Sequence, residues 1–109
     1  MIKQGKAQAF VSAGNTGAVM AASIMYLGRL RGIDRPVLVA LMPLTGELSL
    51  FLDVGANADC KPNYLLQFAQ MASTYLRTVW KMKNPRVALL NIGEEDSKGN
   101  QLSQDAYII

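Results

Sequence analysis

The chain has 109 residues, a mass of 11.9 kDa and a hydrophobic content of 50%, which excludes a disordered tail and leaves room for one domain with a modest core. Its net charge of +3 comes from 11 basic and 8 acidic residues that are spread along the sequence. Because a nucleic-acid-binding face needs a stripe of Lys and Arg, nucleic acid is excluded as an expected partner.

The first predicted elements are a short strand and a helix that meet at a glycine turn. Residues 8–11 form an apolar, β-rich run that is typical of a short buried strand. After the turn at residues 12–17, Thr16 is expected to cap a helix that runs to about Leu30 and stops at Gly32.

Two more strands are predicted in the middle of the sequence. Residues 37–42 and 48–53 are apolar runs, and the break at residues 43–47 contains Pro and Gly. A parallel crossover needs a dozen residues or more, and this connection is far shorter. The two strands are therefore expected to form an antiparallel hairpin.

A long amphipathic helix is predicted next, followed by a strand and a further helix. Pro62 suits the first turn of a helix. The strand is expected at residues 86–91, and the last helix is expected to begin near Lys98. The apolar face of the long helix has close to ideal spacing and comprises Leu65, Phe68, Ala69, Ala72, Tyr75, Leu76, Val79 and Trp80.

These elements predict an α/β protein with a mixed sheet, of which the sequence supplies one part. Four strands and two full helices leave the sheet uncovered, although parallel strands normally have both faces buried. Both ends of the sequence also resemble interrupted helices. We therefore expect residues 1–109 to be a single α/β segment from the centre of a larger domain, or one that depends on a partner.

The cysteine and histidine content limits the location and the chemistry. The chain has one cysteine, Cys60, and no histidine, so no internal disulfide can form and a reducing compartment is expected. The sequence has neither the pattern of a signal peptide nor an apolar stretch of about 18 residues. A cytoplasmic location is expected, with any membrane contact being peripheral.

Three of the predicted strands end in turns made of Gly, Asn and acidic residues. These turns lie at residues 12–17, 53–62 and 91–99, and a helical pattern follows each of them. In an open α/β sheet, the loops at the carboxyl ends of the strands line one crevice, where ligands bind. We therefore expect the three turns to converge on one site.

The first turn has the composition of an anion site. Two glycines allow close approach of the backbone to a ligand, and the helix behind them presents free N–H groups that favour phosphate. Ser12, Asn15 and Thr16 add side-chain donors. Neither a Walker loop nor a dinucleotide-binding pattern is present, and a plain glycine turn capped by Thr16 is the alternative.

The second turn contains Asp53 at a strand end, followed by Asn57, Asp59 and Lys61. Asp53 is expected either to orient a nucleophile or a basic partner, or to cap the turn through its own backbone, and the sequence does not separate these roles. Lys61 is a neighbour that lowers the pKa of a thiol such as Cys60. A catalytic thiol needs a positioned base, however, and without histidine Cys60 is interpreted as a small buried side chain.

The third turn combines three consecutive acids with a lysine, Lys98. The acids are a conceivable metal site, but they lack the alternating spacing of a calcium loop. Capping of the next helix explains at least some of them, so no metal is predicted. Lys98 is expected to contribute positive charge to the crevice. The three acids are Glu94, Glu95 and Asp96.

Together the three turns resemble the motifs of the PlsX phosphate acyltransferases. The resemblance comprises residues 12–18, residues 53–57 with 59–62, and residues 91–95, in the same order and at matching intervals. Residues 32–36 and 65–69 also match. It covers essentially all of this sequence and about a third of a family member.

The resemblance implies a reaction, a fold and a set of partners. Members of this family transfer a long acyl group from acyl-acyl carrier protein to orthophosphate, without a cofactor, as an early step toward phospholipids. The implied fold is a Rossmann-like three-layer α/β/α sandwich, similar to phosphotransacetylases and isopropylmalate dehydrogenases. Family members resemble one another as cytoplasmic homodimers that visit the membrane surface, with a membrane glycerol-3-phosphate acyltransferase in the same pathway.

The resemblance also implies roles for residues of the three turns. Ser12, Gly14, Asn15 and Thr16 are expected to cradle phosphate, Asp53 and Asn57 to orient it, and Lys61 or Lys98 to balance its charge. Asn91, Gly93 and Glu94 complete the expected substrate-binding set. Three alternatives stay open: a short-chain phosphotransacetylase that uses coenzyme A, a module that binds phosphate or a nucleotide without turnover, and a structural segment whose turns only cap helices.

Overall fold

The computed structural model describes residues 1–44, 46–95 and 97–109. They form two compact units, Met1–Pro36 and Val37–Ile109. The first unit contains a 3-10 helix, Ile2–Gln4, and an α-helix, α1, Thr16–Leu27. The second unit contains two strands, β1 (Val39–Leu44) and β2 (Glu47–Leu52), and two helices, α2 (Pro62–Thr78) and α3 (Gln101–Ile108).

Helix α1 ends earlier than predicted because a glycine breaks it. Gly28 has a positive φ of 83°, which favours glycine, and its N–H donates to Ile24 O at 3.1 Å. The predicted end near Leu30 and the stop at Gly32 are therefore wrong. The predicted strand at residues 8–11 is also wrong: the first unit, all of which is described, holds no strand. Without a neighbouring strand, that segment has no ladder of hydrogen bonds to join.

The central hairpin is confirmed, with strands that extend into the predicted break. Strands β1 and β2 pair antiparallel, from Val39 opposite Leu52 to Leu44 opposite Glu47. Pro43 lies inside β1, where a proline is tolerated because each strand of a two-stranded sheet is an edge strand. The connection includes Gly46, with a φ of 86°; Thr45 lies outside the described residues.

The long amphipathic helix is confirmed, and it supplies the buried apolar side chain of the second unit. Pro62 occupies the first turn of α2, where its missing N–H costs no hydrogen bond. Phe68 is only 2% exposed and is the buried apolar side chain among the described residues. Helix α2 contacts β2 and α3. Of its predicted apolar face, Tyr75 and Val79 are exposed.

The last helix is confirmed, and the strand predicted before it is not formed. Helix α3 begins after Asn100, whose side chain accepts from Ser103 N at 2.9 Å. Residues 86–91 contain no strand; within the described ranges, the sheet consists of β1 and β2 alone. The expected mixed sheet is therefore corrected to a two-stranded antiparallel sheet with three α-helices, which is still an α/β architecture.

Candidate functional site

The first turn is held by two short side chains that bond to the backbone. Gly14 N donates to Ser12 Oγ at 3.0 Å. Asn15 Oδ1 accepts from Ala18 N at 3.1 Å, so Asn15, not Thr16, caps α1. Asparagine is among the best capping residues because its short side chain reaches the free N–H groups of the first helical turn. The whole turn, residues 12–17, is exposed and therefore accessible to a ligand.

The predicted phosphate-binding residues of this turn thus sit around a helix N-terminus. The cap uses the carbonyl oxygen of Asn15, which is the acceptor of its amide group, and does not use its Nδ2 donor. Gly14 and Gly17 each leave little room for a Cβ, which would meet Ser12 Oγ at 3.1 Å and Asn15 Oδ1 at 3.3 Å. The turn is compact and lies at the N-terminus of α1, the end of a helix that anions favour.

The second turn is organised around the carboxylate of Asp53. Its Oδ1 accepts from Leu38 N and from Ala56 N, both at 3.1 Å. Its Oδ2 accepts from Asn57 N at 2.7 Å and from Asn57 Nδ2 at 2.9 Å. Asp53 therefore ties the start of the hairpin to the loop that follows it, which corresponds to the turn-capping role left open by the sequence.

The hydrogen bonds to Asp53 also set its charge. Partial burial raises the pKa of the carboxyl, but the bonds from the Asn57 side chain and from the N–H groups of Ala56, Asn57 and Leu38 outweigh burial, and the net pKa lies below its ordinary value. Hydrogen bonds donated to a carboxylate stabilise its charged form. Asp53 is therefore ionised at neutral pH.

Cys60 does not have the surroundings of a nucleophile. Burial raises the pKa of its thiol, and the negative charges of Asp53 and Asp59 raise it further. The net pKa of the thiol is therefore raised despite the neighbouring Lys61, because burial and the two carboxylates favour the uncharged thiol. The half-buried thiol lies 3.9 Å from Asn57 O, toward which it donates. The predicted small buried side chain is therefore corrected to a half-buried one.

Lys61 lies at the junction of the second turn and α2. It occupies the N-cap position of α2 without a side-chain capping bond, and its side chain is exposed. Tyr64 N donates to Lys61 O at 2.9 Å. The backbone of Lys61 therefore begins the helix while its ammonium group remains in solvent at the same end.

The third turn and α3 line an open pocket of about 450 Å³. All four residues predicted from this turn to bind substrate lie on its wall, so the structure brings them together. Helix α3 forms the other wall. The lining residues are Leu89, Asn91, Gly93, Glu94, Glu95, Ser97, Lys98, Ser103, Gln104, Tyr107 and Ile108.

Amide side chains fix the shape of this pocket. Asn91 Nδ2 donates to Lys98 O at 2.9 Å, across the loop. Gln104 Nε2 donates to Ser97 O at 3.0 Å and connects α3 to the loop. Lys98 N donates to Glu95 O at 2.9 Å, closing a turn between them. The loop is therefore held in shape by uncharged groups.

The α3 side of the pocket was missed by reasoning from the sequence. Ser103, Gln104 and Tyr107 line the pocket. Tyr107 lies four positions after Ser103 and three after Gln104, spacings at which side chains are neighbours on a helix surface. Asn100 caps α3 and so fixes where the helix begins. Counting helical positions from Asn100 is the signal that would have identified these pocket-lining residues.

Within the described part of the chain, no cluster of three or more His, Cys, Asp or Glu side chains is placed to hold a metal ion. Asp96, one of the three acids considered for a metal, lies outside the described residues. No helix in the described ranges is long and apolar enough to cross a membrane.

The convergence of the three turns stays a prediction. Asp53 and Asn57 are bonded to each other, and the residues of the third turn share one pocket. The first turn belongs to the other compact unit. The structure therefore gives the geometry of each turn separately.

Comparison with known proteins gives matches along the whole chain. The family described as "Fatty acid synthesis protein" matches residues 1–109. A protein of Dictyoglomus turgidum named "Phosphate acyltransferase" is 54% identical over 110 residues, covering 100% of this chain and 33% of the relative. Proteins of the same name from Heliobacterium modesticaldum and Synechococcus elongatus are 57% and 58% identical, covering 98% and 94% of the chain.

The chain spans about a third of the length of these curated relatives: the last two matches cover 32% and 30% of the relatives from Heliobacterium modesticaldum and Synechococcus elongatus. Similarity over this segment is therefore high, while about two thirds of each relative has no counterpart in these residues.

Proposed function

Because this chain belongs to the fatty acid synthesis protein family over its whole length, we propose that it is a central segment of a phosphate acyltransferase. The single observation that carries the proposal is the 54% identity to the phosphate acyltransferase of Dictyoglomus turgidum, which covers all of the chain. The resemblance noted in the three turns, to the PlsX phosphate acyltransferases, is confirmed at the level of the family by these matches.

The proposed reaction moves a long-chain fatty acyl group from acyl-acyl carrier protein to orthophosphate. A phosphate oxygen attacks the thioester carbonyl, the resulting oxyanion collapses, the carbon–sulfur bond breaks, and the carrier thiolate takes up a proton. The products are acyl phosphate and free carrier protein. Acyl phosphate then serves phospholipid synthesis through a membrane glycerol-3-phosphate acyltransferase.

This chemistry needs positioning and charge stabilisation more than a strong base. Orthophosphate ionises near neutrality and is itself a competent nucleophile, so the absence of histidine does not oppose the proposal. Holding the phosphate in line with the carbonyl and stabilising the oxyanion with fixed donors can supply most of the rate. No cofactor is required.

The first turn is proposed as the phosphate cradle. The backbone N–H groups at the start of α1 and the side chains of Ser12, Asn15 and Thr16 would hold the phosphate oxygens, with Gly14 permitting close approach. The support is the exposed turn in front of a helix N-terminus that Asn15 caps through its acceptor oxygen alone.

The other two turns are proposed to orient the substrates. Asp53 and Asn57 would set the geometry of the phosphate, while Lys61 and Lys98 would balance negative charge. Asn91, Gly93 and Glu94 would contact substrate from the pocket beside α3, which they line together with Lys98. No metal is part of this proposal.

The complete protein is proposed to be a Rossmann-like three-layer α/β/α sandwich, a cytoplasmic homodimer with peripheral contact to the membrane. The support is the exposure of apolar side chains outside the described helices and strands, such as Val11 and Leu90, which are 93% and 83% exposed.

The test is thiol release by the full-length protein that carries these residues. Release from long-chain acyl-acyl carrier protein that strictly requires orthophosphate, with acyl phosphate as product, is expected. Preference for short acyl groups on coenzyme A would instead identify a phosphotransacetylase. Phosphate or nucleotide binding without thiol release would indicate a binding module. The absence of any anion binding would indicate a structural segment whose turns only cap helices.

A further inference from the structure

Asp53 occupies a junction between two segments of the second unit. It directly follows β2, which ends at Leu52. Through Leu38 N it contacts the residue before β1, and through Ala56 N and Asn57 N it contacts the loop after β2. Val54 N also donates to Leu38 O, at 3.3 Å. One carboxylate therefore joins the base of the hairpin to the loop that leads to α2.

All four partners of this carboxylate are N–H groups. Each oxygen accepts two of them, at distances from 2.7 to 3.1 Å. A carboxylate that takes a proton loses part of its acceptor capacity and gains a hydrogen that it can donate. At Asp53, this hydrogen would face an N–H group, which is also a donor. The arrangement is suited to a permanent anion that fixes its neighbours, and unsuited to a group that receives a proton during each turnover.

Asn57 is the member of the second turn that Asp53 fixes most directly. Both the backbone and the side chain of Asn57 donate to Oδ2, so the carboxylate sets the backbone position and the rotation of the amide group together. The bonds are charge-assisted, which makes them stronger than bonds between neutral groups. Gly55, with a φ of 112°, gives the loop the tight path that brings Asn57 back to Asp53.

We propose that Asp53 is a positioning residue that sets phosphate affinity through Asn57 and the loop at residues 54–57, and not the proton acceptor of the reaction. This inference rests on the proposed function and assigns Asp53 a narrower role within it. The group that acts on the ligand is Asn57, and Asp53 acts through it.

The test exchanges the two side chains in the full-length protein. In Asp53→Asn, an NH₂ group replaces one of the acceptor oxygens and meets two of the four N–H donors. In Asn57→Asp, two carboxylates face each other. The double variant, Asp53→Asn with Asn57→Asp, restores a donor–acceptor pair with the direction reversed and keeps the net charge of the wild type. One bond, from the backbone of residue 57, is not restored.

A positioning role predicts a specific kinetic pattern. Each single variant is expected to raise KM for phosphate, and the Kd from calorimetry with inorganic phosphate, by about tenfold or more, because Asn57 loses the charge-assisted bonds that hold it in position. The kcat value is expected to fall by a smaller factor than the phosphate affinity does, and the double variant is expected to recover at least part of the affinity. The pH profile of kcat between pH 5 and 9 keeps its shape in all variants.

The opposite pattern would overturn the proposal. Loss of a proton acceptor lowers kcat by about 10²–10⁴ with little change in phosphate affinity, removes a limb of the pH profile, and is not repaired by moving the carboxylate to position 57. Amide hydrogen exchange supplies a readout without turnover. It is expected to accelerate at Ala56 and Asn57 in Asp53→Asn, and unchanged exchange at both amides would equally reject the role.

The design separates this inference from the proposed function. If the wild type binds phosphate but releases no thiol, the transfer reaction fails, while the phosphate affinities of the four proteins still decide the role of Asp53. If the wild type turns over in a phosphate-dependent manner and the single variants bind phosphate as the wild type does, the transfer reaction stands and the positioning role fails. A wild type that binds no phosphate rejects both.

Discussion

At the scale of single residues, Asn15 has a structural role that any functional test must separate from ligand binding. Its Oδ1 caps α1 through Ala18 N, and removing such a cap costs about 1 kcal/mol. We expect Asn15→Ala to lose this stability and also to raise KM for phosphate by about tenfold, as the loss of one bond to a charged ligand implies. Urea unfolding and phosphate-dependent thiol release measure the two effects.

The matched control is Asn15→Asp, which keeps a capping oxygen and puts a negative charge in the cradle. This variant is expected to unfold like the wild type and to bind phosphate worse than Asn15→Ala, because its carboxylate repels the anion. If both variants kept the KM of the wild type, the first turn would be a helix cap without a role in phosphate binding.

The lowered pKa of Asp53 predicts how stability depends on pH. Because the carboxyl has a lower pKa in the folded protein than its usual value, the unfolded chain binds more protons, and stability falls on acidification. The contribution is fully present above about pH 4, near the pKa of an unfolded Asp, and is lost as the pH falls further. The difference in unfolding free energy between wild type and Asp53→Asn is therefore expected to be constant from pH 7 to 5 and to shrink below pH 4.

Removing the Asn57 side chain tests the cause of this pH dependence. The bond from Asn57 is the largest of the effects that lower the pKa of Asp53. In Asn57→Ala, the decrease in stability should therefore still begin near the pKa of an unfolded Asp, but it should be smaller in total and end at a higher pH. Identical acid profiles for wild type and Asn57→Ala would contradict this explanation.

At the scale of elements, two glycines with similar backbone angles permit a controlled measurement. Gly99 and Gly55 have φ values of 101° and 112°. A Cβ at Gly99 would collide with Ser103 Oγ and with the side chain of Asn91, whereas nothing lies within 4 Å of one at Gly55. Alanine at either position costs about 1–3 kcal/mol from backbone strain, and we expect Gly99→Ala to cost more because it also displaces Asn91 from the pocket wall.

Thermal unfolding of the two variants in the full-length protein measures the difference, and binding of a substrate analogue reports the displacement of Asn91. Equal destabilisation by the two substitutions would mean that the loop at residues 91–99 relaxes around a new methyl group without resistance.

Helices were predictable from the sequence to a greater extent than strands. The periodic face and the first-turn Pro62 of α2 depend on neighbours a few residues away, so local pattern sufficed. The cap at Asn15 was assigned to Thr16 because both are capping residues and only geometry separates adjacent positions. Residues 8–11 and 86–91 have strand composition, but a strand forms only against a partner, which local sequence does not specify.

The candidate site was predictable to the same degree. The three turns and their residue types follow from composition, and the structure places the four residues predicted from the third turn beside one pocket, while their contact with substrate stays a prediction. The hydrogen-bond partners of Asp53 could not be predicted from the sequence, because Leu38 is 15 positions away from Asp53. Contacts between distant residues depend on the packing of elements, which residue spacing does not encode.

At the scale of the whole molecule, the small number of buried apolar side chains predicts that residues 1–109 are stable only within the full-length protein. Phe68 is the only buried apolar side chain in the described ranges, whereas Ile92 and Ile108 are 90% and 82% exposed. A polypeptide of residues 1–109 alone is expected to unfold over a broad range of urea, with a small m-value. The full-length protein is expected to unfold cooperatively.

Phe68→Ala provides the control for this comparison. In a cooperative core, loss of a buried Phe costs about 3–5 kcal/mol, so we expect that loss in the full-length protein and a much smaller one in the isolated segment. The prediction is contradicted if the isolated segment unfolds cooperatively and Phe68→Ala lowers its unfolding free energy as much as in the full-length protein. Phe68 alone would then be sufficient to organise a core.

The amide-held loop beside α3 has a consequence for ionic strength. The bonds of Asn91 and Gln104 to the loop carbonyls join neutral groups, and salt screens charges, not neutral dipoles. The walls of the pocket should therefore keep their shape from dilute buffer to concentrated salt, while the attraction of Lys98 for an anion fades. Measuring substrate binding at a series of salt concentrations would therefore vary the electrostatic contribution while the geometry of the pocket stays constant. Few mutations separate these two effects.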